Sequence, residues 1–241
     1  HLPSQRGLGA AYWKLGRDDE AQESFVSALR LNPELPEANH GLGTVLLAKG
    51  QIEAATGYLR KALEQRPDFL QAQESLGLVL AIQAQHREAQ EYLSKVVTTD
   101  SQPELQAWLG ATLAETGRTK EANGWLEAAR QKSQNLAAQF LTEGARFIAN
   151  QQTQPAAQYF RMAARLSPTA VEAYDNLGAT HASLGDFPEA IRHFETASQL
   201  QPTAERYSNL ALARAMSGDF RTAITNLEET LRLKPEWPAA L

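Results

Sequence analysis

The sequence contains no cysteine among its 241 residues. Disulfides, thiolate nucleophiles and thiolate metal ligands are therefore excluded, and reducing and oxidising surroundings are equally compatible with the chain. No apolar run approaches the ~18 residues that a spanning helix needs, and no signal-peptide pattern opens the chain. Direct membrane insertion is not expected. Positive charge is in deficit: 23 Lys and Arg against 28 Asp and Glu leave a net charge of −5. Without a strong positive field to neutralise phosphates, a nucleic-acid partner is not expected.

The usual signs of chemistry are also missing. The five histidines (His1, His40, His86, His181 and His193) include no pair four residues apart, so the helical metal-site spacing is absent. His181 and His193 fall on different predicted helices. The glycines stand singly, so nothing resembles a loop that cradles phosphate. No Ser or Thr clusters with an oriented base, as nucleophilic catalysis requires. The expectation is a protein that is not an enzyme, with no catalytic residue, no metal ligand and no cofactor.

What the chain does have is recurrence. Aligned on the small residue of a repeated Leu-Gly pair, Gly9, Gly43, Gly77, Gly110, Gly144, Gly178 and Ala211 follow one another at spacings of 34, 34, 33, 34, 34 and 33. Twelve residues after each stands an alanine: Ala21, Ala55, Ala89, Ala122, Ala156, Ala190 and Ala223. Four residues further stands Phe25, Leu59, Leu93, Leu126, Phe160, Phe194 or Leu227. Pro33, Pro67, Pro168, Pro202 and Pro235 close most units. The units run over 2–35, 36–69, 70–102, 103–136, 137–170, 171–203 and 204–237. A further unit would begin at 238–241, as expected for a segment of a longer protein.

Each unit reads as two helices. In the sixth, Tyr174, Leu177, Gly178 and His181 share one face at i, i+3, i+4 and i+7. Gly185-Asp186 stops that helix, and Pro188 suits the first turn of the next, which carries Ala190, Phe194 and Ala197 and ends before Pro202. No unit sustains the period of two that a strand needs. A glycine inside a helix costs roughly 1 kcal/mol against alanine, so its recurrence predicts helix backbones too close for a β-carbon.

These residues resemble the tetratricopeptide repeat, whose pattern is W-x2-L-G-x2-Y…A-x3-F…P over about 34 residues. The first unit supplies Leu8, Gly9, Tyr12, Ala21, Phe25, Ala28 and Pro33, and the sixth Tyr174, Leu177, Gly178, Ala190, Phe194 and Pro202. The resemblance covers residues 2–237. It implies an all-α fold: a single array of seven antiparallel helix-turn-helix units forming a right-handed α-solenoid superhelix, with the first helices lining a concave groove that takes a peptide or a partner's helix. The fifth unit departs most: Glu143 takes the leucine position and Gln151 the turn glycine. Glu143 and Arg146 are i, i+3 neighbours that can pair, as a local structural pair or as a polar contact reached from the groove. His181 and Arg214 stand where other units carry Tyr12, Leu46, Leu80, Leu113 and Phe147, and read as hydrogen-bonded packing residues.

By the same resemblance, the groove wall comes from the second, fifth, ninth and twelfth residues of each first helix. The candidate site is Arg6, Trp13, Glu37, His40, Thr44, Leu47, Glu74, Leu78, Glu104, Leu141, Ile148, Glu172, Asp175 and Leu212. These offsets describe an acidic lip above a floor of alanines and aliphatic anchors, suited to a protein or peptide segment with apolar anchors and basic residues. The cationic and asparagine clamp by which chaperone-binding members hold a C-terminal carboxylate is not matched, since only Arg6 is cationic at its positions. An asparagine ladder like that of sugar-transferase arrays has at most two rungs, Asn176 and Asn209. The expected role is a non-catalytic interaction scaffold. Self-association as a structural module, or service as the substrate-recruiting arm of an enzyme, are the alternatives. The compartment is left open. Replacing Ala190 by leucine should cost on the order of 1–3 kcal/mol through overpacking; a thermal melt matching the parent would refute the packing scheme.

Overall fold

The first helix of every unit ends in the same way. The amide after the turn residue reaches back five residues, from Arg17 to Tyr12, Gln51 to Leu46, Gln85 to Leu80, Arg118 to Leu113, Gln152 to Phe147, Asp186 to His181 and Asp219 to Arg214, at 2.8–3.0 Å. This bond pattern requires a left-handed residue just before the donor. Five units supply glycine there, at Gly16, Gly50, Gly117, Gly185 and Gly218, and two do not: Ala84 and Gln151 both take φ of 60°. The chain then turns straight into a second helix. Asp186 and Asp219 cap theirs by accepting the amides of Glu189 and Thr222.

The computed structural model describes residues 2–236, so the start of a further unit at 238–241 lies outside them. The chain divides into two compact units, meeting between Lys132 and Ser133. The first holds α1 (Leu2–Lys14), α2 (Asp18–Leu31), α3 (Pro36–Ala48), α4 (Ile52–Gln65), α5 (Leu70–Ile82), α6 (His86–Val96), α7 (Pro103–Glu115) and α8 (Thr119–Lys132). The second holds α9 (Leu136–Ala149), α10 (Thr153–Leu166), α11 (Val171–Ser183), α12 (Phe187–Leu200), α13 (Ala204–Met216) and α14 (Phe220–Leu233). Among the described residues the fold is all-α: fourteen helices in seven consecutive pairs. In the first unit each pair packs on the next through α2–α3, α4–α5 and α6–α7, and the first helices α1, α3, α5 and α7 also touch in succession. In the second, α10 packs on α11 and α12 on α13.

The repeated glycine faces a large side chain first, and the expected backbone approach stands beside it at Gly43, Gly77 and Gly110, where a β-carbon would lie 3.3, 3.2 and 3.1 Å from backbone atoms of the second helix. A β-carbon on Gly178 would lie 2.6 Å from the Phe194 ring, one on Gly144 2.5 Å from Phe160, and one on Gly43 2.7 Å from Leu59. The space left by the missing side chain is filled by the large residue sixteen positions on, with backbone atoms such as Ala55 O at 3.3 Å standing second. The alanine between them is sealed: Ala21, Ala55, Ala89, Ala122, Ala156 and Ala190 have no exposed surface. Phe25 is held twice, since a β-carbon on Gly41 of the next pair would also strike its ring at 2.4 Å.

The two units differ at the fourth residue of each repeat. Asn39, Gln73 and Gln106 send their amide nitrogens to backbone carbonyls of the preceding turn: Pro33 and Leu35, Pro67, and Thr98 and Thr99. From α9 onward the same place holds Phe140, Tyr174 and Tyr207. The first unit therefore ties this place to the preceding turn with amide hydrogen bonds, whereas Phe140 and Tyr174 set rings against Tyr159 and His193 of their own pairs.

A non-glycine residue in the left-handed region costs roughly 1–2 kcal/mol. Gln151→Gly should therefore stabilise the chain by about 1 kcal/mol, read as a raised urea midpoint; a lowered midpoint would show that the Gln151 side chain outweighs the backbone strain.

Candidate functional site

Helix pairing buries one stripe of the first helices and leaves a neighbouring stripe partly in contact with solvent, except on α7, where residues 105–113 are buried throughout and Glu104 lies exposed before them. The fourteen candidate residues fall on that second stripe, and each keeps some exposure. Arg6 and Trp13 lie on α1, Glu37, His40, Thr44 and Leu47 on α3, Glu74 and Leu78 on α5, and Glu104 on α7. Leu141 and Ile148 lie on α9, Glu172 and Asp175 on α11, and Leu212 on α13. They thus divide into a first-unit face and a second-unit face.

On the first-unit face the structure brings several of them together. Glu37 accepts from Arg66 at 2.8 Å and stands 4.0 Å from Arg6. Arg66, which follows the end of α4, lies flat over the Phe69 ring at 3.8 Å. Phe69 meets His40 at a ring separation of 5.0 Å, and His40 Nε2 pairs with the Ser75 hydroxyl of α5 at 3.1 Å. Thr44 donates to the His40 carbonyl at 3.0 Å. The result is a continuous strip, Arg6–Glu37–Arg66–Phe69–His40–Ser75, across three first helices. Arg66, Phe69 and Ser75 were not among the expected residues, because they lie in the turn between repeats or one place beyond the groove offsets. Repeat alignment carries no signal for them.

The acidic lip is therefore not uniformly free. Glu37 is spent on Arg66 and Arg6, and Asp175 of α11 on Arg206 of α13 at 2.9 Å. Glu74, Glu104 and Glu172 have no ion-pair partner among the described residues and stay exposed. The floor is covered in one place only. Ala81 and Ala107 are completely buried and Ala111 nearly so, so these three leave no open space between anchors, whereas Ala10, Ala145 and Ala179 at the equivalent places are exposed. A separate depression of about 260 Å³ is lined by Val26, Leu29, Arg30, Pro33, Asn39, Leu42, Tyr58 and Lys61, none of them an expected groove residue.

Electrostatics follow from this packing. Burial alone would raise the Glu37 carboxyl, but its backbone bonding and the Arg66 and Arg6 cations outweigh that and hold it below the usual range. Burial raises Glu74, although the residue as a whole is exposed. Burial, aided by the Arg66 charge and opposed by the Gln71 backbone contact, lowers His40 from its ordinary 6.5. The other expected polar places resolve plainly. Arg146 pairs with Glu143 at 2.9 Å, and Arg214 bonds Asn226 at 2.6 Å and pairs with Glu195. His181 is a buried packing histidine bonded to Asp186.

A histidine whose folded value is lowered binds fewer protons folded than unfolded at mildly acid pH, so its contribution is complete above about pH 6.5 and is lost as pH falls below it. His40→Gln should therefore flatten the acid limb of the stability curve, read as the change in melting temperature between pH 7 and pH 5. An unchanged limb would show that His40 does not carry that loss.

Comparison with known proteins agrees with this architecture. A tetratricopeptide repeat model matches residues 169–236, and a second matches 6–68 and 40–102. No curated protein matches the chain. Among solved structures, it is similar to YrrB, described as a TPR protein with an unusual peptide-binding site, at 20% identity over 91% of this chain and 97% of that one, with a TM-score of 0.37. It is similar to a chain of the APC/C hetero-tetramer Cut9-Hcn1 at 20% identity, covering 96% of this chain but 46% of that one, TM-score 0.45. The TPR2AB domain of yeast Sti1, in its complex with pHSP90, matches at 19% identity over 99% of this chain and 93% of that one, TM-score 0.43. With the repeat models spanning more than half of its length and its helices paired as that repeat requires, the chain belongs to the tetratricopeptide repeat family.

Proposed function

We propose that this chain binds a protein or peptide, as tetratricopeptide repeat proteins do, through the exposed stripe of α3 and α5 and the start of α7, taking a segment that carries apolar anchors and a Lys or Arg. One observation supports this above the others. Glu74 and Glu104 remain unpaired and exposed on the stripe that also carries the half-buried Leu47 and Leu78, while the neighbouring Glu37 is neutralised by Arg66. Unspent carboxylates beside partly covered leucines favour a cationic, partly apolar ligand. The Arg66–Phe69–His40 strip holds the upper end of the stripe rigid, so a ligand would meet a preorganised surface.

A random peptide display selection against the purified chain tests this. Enriched sequences should combine aliphatic residues with Lys or Arg. Their binding, followed by fluorescence anisotropy, should fall at least about tenfold for Glu74→Lys combined with Leu78→Glu and should weaken with salt. Undiminished binding by a variant that keeps the parent's melting temperature would rule the stripe out.

A second reading, self-association, is favoured by a different feature. Leu212 and Met216 of α13 and Phe220 and Ile224 of α14 are all more than half exposed, and exposed apolar side chains on one helix pair are what a self-association surface would use. Sedimentation velocity across a hundredfold concentration range separates the two readings: a constant monomer mass would remove self-association, and a mass that rises and is reset by Phe220→Glu would support it.

A further inference from the structure

In the last three helix pairs, one place on the first helix faces one place on the second, twelve residues on. In the fifth pair these are Phe147 and Tyr159, whose rings stack at 5.0 Å. In the seventh they are Arg214 and Asn226, joined by a 2.6 Å hydrogen bond. Both of those couples satisfy themselves. In the sixth the places are held by His181 and His193, with ring centroids 5.4 Å apart and no hydrogen bond between them. Both side chains are at least about nine-tenths buried, and each keeps a nitrogen without a partner, Nε2 of His181 and Nδ1 of His193. Buried polar atoms left unpaired are uncommon in folded proteins and call for an explanation.

Glu189 completes the cluster. It lies one turn before His193 on α12, with its carboxylate 3.6 Å from His193 Nε2. One ligand atom of His181, one of His193 and one of Glu189 all lie within 4.8 Å of one another. Ligands at about 2.1 Å around a tetrahedral zinc ion stand about 3.4 Å apart, so modest rotations of three side chains close the set. Two features prepare it. Asp186 accepts from His181 Nδ1 at 3.0 Å, which orients the ring and leaves Nε2 as its free nitrogen, the carboxylate–histidine arrangement that supports metal ligands. The Arg192 guanidinium sits 2.6 Å from Glu189 and 2.9 Å from His193 Nε2; a cation is thus already accepted at two of the three groups. Its side chain is more than half exposed and can swing away.

We propose that His181, Glu189 and His193 form a binding site for a divalent ion of the zinc type, with Asp186 as a positioning residue and Arg192 as the cation displaced on binding. Two imidazoles and a carboxylate suit zinc, and the absence of cysteine excludes a thiolate site. The search along single helices missed it because the two histidines lie on different helices, brought together only by the hairpin; Glu189 and His193, four apart on α12, were the legible half.

The test is titration of the chelator-treated chain with Zn²⁺ by calorimetry and with Co²⁺ by visible absorption. One ion should bind per chain, with a visible Co²⁺ spectrum of four- or five-coordinate character. Glu189→Gln and His193→Asn should each lower zinc affinity by tenfold or more. Asp186→Asn, which keeps the helix cap, should lower it about tenfold, and Arg192→Gln should raise it. Absence of binding at 1 mM zinc (on the order of the weakest affinity of interest) overturns the site, as does binding that neither Glu189→Gln nor His193→Asn weakens. Glu189 is partly exposed and its glutamine variant keeps the packing, so the test stands even if the His193 variant fails to fold.

Discussion

The contact on which the rest of this structure depends is the insertion of one large side chain into the gap left by one absent one. Phe194 occupies the volume that a β-carbon on Gly178 would need, and the same holds for Phe160 at Gly144 and Leu59 at Gly43. Because Ala190, Ala156 and Ala55 lie sealed between these partners, the two helices of a pair meet at a separation set by the smallest side chains available. The glycine sacrifices helix propensity, about 1 kcal/mol, and the burial of a Leu or Phe, worth about 1.5–3 kcal/mol, outweighs it. The exchange is local, so it can be repeated without any long-range core, which is how a repeat chain grows.

Most of this was legible in the sequence because it is periodic. Units drawn from spacing alone begin where α3, α5, α7, α11 and α13 begin, at Pro36, Leu70, Pro103, Val171 and Ala204, and α9 starts one residue early at Leu136. Gln151 was visible as a missing turn glycine and takes the strained φ that this implies; Ala84 stands at the same place of its repeat and is equally strained. The expected backbone approach at the helix glycine is only part of its reason, because spacing reveals that a position must be small but not which side chain fills it.

The site was less legible than the fold, and the cause is physical. Alignment identifies residues by their place within a repeat, whereas the polar contacts of the candidate stripe reach places that the groove offsets do not include. Arg66, at the end of the same repeat, reaches Glu37, and Arg206, in the next repeat, reaches Asp175, so two acids counted as available to a ligand are already engaged. The alanines Ala81 and Ala107, counted as open floor, are covered by neighbouring helices. Small residues beside a packing stripe can be small because a groove needs room or because a neighbour is close, and composition does not distinguish the two.

The facing couples of the second unit show where such a scaffold can vary. Phe147–Tyr159, His181–His193 and Arg214–Asn226 occupy equivalent places on pairs built by the same glycine or alanine contact. Each first-helix member also gives its carbonyl to the turn amide five residues on, from Gln152, Asp186 and Asp219. The backbone at these places is therefore held whatever the side chain, and a couple can change from stacked rings to a hydrogen bond without loss of the hairpin. That tolerance makes a buried histidine couple informative. Phenylalanine and tyrosine fill the same slot in the fifth pair at no electrostatic cost, so packing alone does not call for two imidazoles with unpaired nitrogens beside a carboxylate. A framework that accepts apolar rings equally well leaves the polar choice to be explained by what the nitrogens can bind.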